Sequence, residues 1–181
     1  FQSPPNANFV NLRPAWQLIE KNVFNDKLEE MELTDIYAKL RKAPFGLPEG
    51  IFPILITVFF VVHQGEVFLY REGTFLPEPQ PGHFDLLQRR LDLFSIKGVR
   101  LEGITLRIVE RLAGSLNTAP KIASVVRALY RSLSSLPNLT LKSGRIADPQ
   151  ALQVREAFLN AGSPESLLFK ELPRCFGMEI V

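Results

Sequence analysis

Apolar residues recur at steps of three and four along most of this chain, and where the pattern stops, proline and glycine interrupt it. From Arg13 to Phe24, Trp16, Ile19 and Val23 fall on one face of a helix. A second helix is predicted after Thr34, read as its N-cap, with Ile36, Tyr37 and Leu40 inward and Lys39, Arg41 and Lys42 toward water. It ends at Ala43-Pro44-Phe45-Gly46-Leu47-Pro48, because two prolines and a glycine so close together cannot continue a helix.

The run from Ile51 to Val62 is broken only by Pro53 and Thr57. Its β-branched and aromatic residues favour a strand. Pro48 and Glu49, however, suit a helix opening, and Pro53 falls early enough to be tolerated, so a helix is predicted. Apolar on every side, it is expected to be buried. Glu66–Arg71 and Thr74–Pro77 then read as two short strands around the turn Glu72-Gly73.

Three prolines and a glycine between Pro77 and Gly82 mark the expected internal boundary. Beyond it, His83–Leu93 is predicted as helix, Phe94–Leu101 as extended chain and Gly103–Ala113 as helix. A further helix is expected from near Thr118, with Pro120 in its first turn and Ile122, Val125, Val126, Leu129, Leu133 and Leu136 as its apolar stripe. Asp148-Pro149 and Ser163-Pro164 each place a capping residue before a proline and open two more helices. The predicted fold class is mainly α with a small β-hairpin. A winged-helix-like subdomain over residues 1–80 precedes a helical subdomain over 81–181, and the two are expected to pack as one unit.

Composition changes little in this picture. Apolar residues make up 46% and charged residues 22% of the 181 positions, as in an ordinary globular protein. The single cysteine, Cys175, rules out an internal disulfide and fits a reducing, cytoplasmic setting. The longest apolar run is too short for a membrane helix, which needs about 20 residues, so no membrane role is expected. Both ends read as cut points, and the chain is expected to be a piece of a larger protein.

Candidate chemistry is sparse. No phosphate-binding glycine loop occurs, so no nucleotide or other cofactor is expected within this chain. Imidazole and thiolate ligands are limited to His63, His83 and Cys175, too few for a zinc site, and no metal is expected. His63 closes the apolar run and is read as capping its end, while His83 is read as helping to begin a helix. Asp26, Glu29, Glu30 and Glu32 cluster, but with no apolar pocket around them they read as a solvated flank.

Charge does separate regions of the chain. Residues 1–88 carry 7 basic and 11 acidic side chains, whereas residues 89–145 carry 11 basic and 3 acidic. Such a block could meet nucleic acid or an acidic protein surface through Arg89, Arg90, Lys97, Arg100, Lys121, Arg127, Arg131, Lys142 and Arg145, although the outward faces of ordinary helices would give the same count.

Helix, helix, connector, helix and hairpin is the order of a winged-helix unit. More narrowly, the string from Ala43 through Pro53 to Leu55, with Leu69-Tyr70-Arg71-Glu72-Gly73-Thr74-Phe75-Leu76-Pro77, resembles a segment of large, poorly characterised bacterial ATP-binding proteins, some associated with phage defence. Arg155–Ala161 and Pro164–Pro173 resemble its helical continuation. The resemblance implies a non-catalytic structural and interaction module, partnered by other domains of its parent, with any nucleotide site elsewhere. The alternative is a nucleic-acid-binding module. It would have to use the basic block, since the third helix has no Arg, Lys, Asn or Gln to read bases.

Overall fold

The computed structural model describes residues 12–25, 29–135 and 148–178. Asp26, Leu136, Lys142 and Arg145 lie outside them. The fold is mainly α with a small antiparallel sheet, and the chain divides into two compact units, residues 1–100 and 101–181.

In the first unit the order is α1 (Arg13–Val23), β1 (Met31–Glu32), α2 (Leu33–Arg41), α3 (Phe52–Val62), β2 (Val67–Arg71), β3 (Thr74–Leu76), α4 (Pro81–Arg89), a 3-10 turn (Leu91–Leu93) and β4 (Phe94–Gly98). Ala15, Trp16, Ile19 and Val23 of α1 are buried against Leu33, Ile36 and Leu40 of α2 and Phe52, Leu55, Ile56 and Phe59 of α3. Burial at helical spacing therefore overrides the strand propensity of the α3 sequence. Its one polar side chain is satisfied internally, since the Thr57 hydroxyl donates to the Pro53 carbonyl at 2.7 Å. Thr34 does not cap α2. The helix begins a residue earlier, at Leu33, because β1 runs straight into it and the fully buried Leu33 already belongs to the core.

The expected hairpin forms with Arg71 opposite Thr74. Glu72 (φ 50°) and Gly73 (φ 72°) both take left-handed backbone at its tip, as a tight two-residue turn requires. The sheet, however, has four strands in the order β1-β4-β2-β3. Phe94–Gly98, read only as extended chain, is an inner strand that pairs with both Met31–Glu32 and Val67–Arg71. One face of the sheet places Val67, Leu69, Phe94 and Ile96 in the helical core. The other carries Phe68, Tyr70, Phe75, Ser95 and Lys97, all buried. The proline-rich stretch before α4 is thus a connector inside this unit, and the boundary between the units follows Arg100. The helix predicted over His83–Leu93 starts at Pro81 and stops at Arg89, with the remainder wound as the 3-10 turn.

The second unit contains α5 (Gly103–Ser115), α6 (Ile122–Ser134), α7 (Pro149–Asn160) and α8 (Pro164–Ser166), then a π-helical turn (Leu167–Glu171) and α9 (Leu172–Cys175). Pro120 lies just outside α6, whose N-cap is Lys121. Of the predicted stripe, Ile122, Val125 and Val126 are buried, and Leu129 and Leu133 are half-buried. The two predicted caps form: Asp148 accepts from the Gln150 N–H and Ser163 from the Ser166 N–H. Tyr130 stands edge-on to Phe158 with ring centres 5.2 Å apart, and its hydroxyl donates to the Phe158 carbonyl at 3.0 Å.

Candidate functional site

Four of the basic residues singled out from sequence belong to the first unit. Arg90 grips Asp92 with both ends of its guanidinium, at 2.9 and 2.7 Å, and this hydrogen bonding holds the Asp92 carboxyl below its ordinary range. Arg100 lies 2.7 Å from Glu20 and 4.3 Å above the ring of Phe24. Lys97, on the inner strand β4, is only 8% exposed. Of the four, Arg89 alone is exposed at the end of α4 with no ion-pair partner among the described residues. In the second unit Lys121 and Arg131 are exposed on α6 and Arg127 is half-buried. The set therefore does not form one basic patch within the first unit, where two members are neutralised and one is buried.

The third helix departs from expectation in a different way. It was expected to be enclosed, yet Ile51, at its N-cap, and Ile54, Val58 and Val61 are 41%, 56%, 40% and 41% exposed. Their spacing of three, four and three residues lines them up on one side of the helix, opposite Phe52, Ile56 and Phe59. No charged residue stands between Glu49 and Glu66. The stripe offers no hydrogen-bond donor or acceptor side chain to a base.

Comparisons with protein-family models, curated proteins and solved structures return no match. The second unit has an almost wholly apolar groove of about 520 Å³, walled by Ile108, Leu112, Leu129, Phe158 and Leu168 and lined as well by the exposed Phe176 and Met178. In the first unit a smaller cavity of about 430 Å³, with mixed lining, lies between α2, the start of α3 and the end of α4. Sequence reasoning missed both hollows. The α3 run, read from sequence as apolar on every side and buried, gave no sign of its outward stripe.

The three imidazole and thiol side chains are engaged locally. His63 ends α3 within an aromatic cluster, its ring centre 4.5 Å from Phe59 and 5.5 Å from Phe24. His83 Nδ1 accepts the Gln80 N–H at 2.8 Å and so fastens the start of α4. The Cys175 thiol donates to the Glu171 carbonyl at 3.2 Å. In the acidic segment, Glu30 accepts from the Ser95 hydroxyl at 2.9 Å, and burial followed by Asp35 and Glu30 raises the Glu32 carboxyl above its usual range. Among the described residues no group of three His, Cys, Asp or Glu is placed to hold a metal ion, and no helix is long and apolar enough to cross a membrane.

Proposed function

We propose that this chain is a non-catalytic interaction module of a larger, cytoplasmic, bacterial ATPase-like protein, and that it grips an apolar helix of a neighbouring domain through the outward face of α3. The supporting observation is the exposed stripe Ile51, Ile54, Val58 and Val61. Spacing of three and four residues suits packing against another helix, whose side chains would fill the gaps between these four. A nucleic-acid contact would want cations there instead. The local engagement of His63, His83 and Cys175 agrees with a module that supplies shape and contact, not chemistry.

A photo-crosslinking residue at position 58 of the intact parent protein tests this reading. The expected product is a crosslink to an apolar helical segment of that protein, lost when Ile54→Glu is added. The competing reading is tested by duplex DNA binding at low salt. Absence of the crosslink overturns the proposal. So does micromolar DNA affinity that falls steeply with salt and disappears in the Arg127→Glu, Arg131→Glu double variant.

A further inference from the structure

The mixed cavity of the first unit has the size of a small-molecule site, since such pockets run from about 300 to 1,000 Å³, and it measures about 430 Å³. Its lining comes from segments far apart in sequence: Thr34 and Tyr37 on α2, Glu49 before α3, Phe52 at its start, and Gln88 and Arg89 at the end of α4. Phe52 is fully buried and holds Tyr37 at 5.3 Å between ring centres, so one wall is aromatic and fixed in place.

The polar side chains around this cavity are exposed at Thr34, Glu49, Gln88 and Arg89 and half-buried at Tyr37. The hydroxyls of Thr34 and Tyr37, the Gln88 amide, the Glu49 carboxylate and the Arg89 guanidinium have no hydrogen-bond or ion-pair partner among the described residues. Asp92, the remaining charged group on the lining, is already taken by both nitrogens of its bond to Arg90. One positive and one negative charge therefore remain uncommitted around a space with an aromatic wall. A simple anion would meet Glu49 unfavourably, and a simple cation would meet Arg89 in the same way. A ligand carrying both charges satisfies both residues, and a flat apolar body would lie against Tyr37.

We infer that this cavity is a binding site for a small zwitterion with an aromatic side chain, of which a free aromatic α-amino acid is the simplest case. Arg89 takes the carboxylate, Glu49 takes the ammonium, and Thr34 and Gln88 supply neutral hydrogen bonds. The cavity adjoins the outward stripe of α3, since Ile54 lines its edge, but the pairing of charges by Arg89 and Glu49 does not depend on that stripe's role.

The inference is tested by titrating the full chain, by NMR and calorimetry, with L-phenylalanine, with N-acetyl-L-phenylalanine, which lacks the ammonium, and with L-phenylalanine amide, which lacks the carboxylate. L-phenylalanine should bind saturably and shift the amides of Tyr37, Phe52 and Arg89. Each singly charged analogue should bind about tenfold more weakly, the loss expected from one charge-assisted hydrogen bond. Arg89→Gln should weaken L-phenylalanine and the N-acetyl form but leave the amide nearly unchanged, whereas Glu49→Gln should weaken L-phenylalanine and the amide but leave the N-acetyl form nearly unchanged. Both side chains are exposed, so neither variant should disturb folding, and unchanged thermal unfolding verifies this. No saturable binding of L-phenylalanine up to about 10 mM, binding indifferent to both substitutions, or shifts confined to the second unit would each overturn the assignment.

Discussion

Gly98 shows how tightly one position can be constrained without any signature in the sequence. A Cβ built there would stand 2.5 Å from the ring of Phe24. That ring is not free to retreat, because Phe59 and His63 pack against it at 6.5 and 5.5 Å and Arg100 covers it at 4.3 Å. Gly98→Ala is therefore expected to cost about 1–3 kcal/mol, the usual range for overpacking, as a lower urea midpoint with unchanged slope. A loss below about 0.5 kcal/mol would mean that the Phe24 ring swings aside. By comparison the Arg100–Glu20 pair is well exposed, at 59% and 36%, and contributes little on its own. Its guanidinium matters more as the lid on Phe24.

Helix ends were the most readable elements, since a cap is a local device. Asp148 precedes Pro149, and its carboxylate meets the Gln150 N–H at 2.9 Å. Asp148→Ala should destabilise α7 by about 1 kcal/mol, seen as faster hydrogen exchange across Pro149–Asn160 with little change in the amides of α3. Where capping chemistry competed with burial, the reading failed. Thr34 has the right side chain for a cap, but Leu33 had to be inside the helix to reach the core. The sheet was legible only as its hairpin, because Arg71 and Thr74 are near neighbours. The pairing of Ile96 with Met31 and with Leu69 joins residues too distant in sequence for any local pattern to announce. The candidate zwitterion site was hidden for the same reason, being assembled from Thr34, Glu49 and Arg89 on three separate elements.

At the scale of the molecule, β4 decides where the chain can be divided. It is flanked on both sides by other strands, and it buries Phe94 and Ile96 completely. A chain ending at residue 80 loses this strand and also the buried Leu87 of α4. Truncating two or three such side chains costs about 2–5 kcal/mol each, which exhausts the 5–15 kcal/mol that holds a typical domain together. Residues 1–100 alone should unfold cooperatively in urea with native-like circular dichroism, whereas residues 1–80 should show no folded baseline. If the shorter piece also folds cooperatively, β4 is not the keystone its position implies.

The strand-favouring segment that packing holds as α3 has a consequence for the fate of the protein when it unfolds. From Ile54 to Val62 there is no proline, glycine or charge, and nearly every residue prefers extended chain. Once its contacts with Trp16 and Ile19 are lost, this stretch has the composition of a steric-zipper segment. Heating is therefore expected to end in insoluble cross-β material, and the practical lifetime of the fold will be set by how rarely α3 is released.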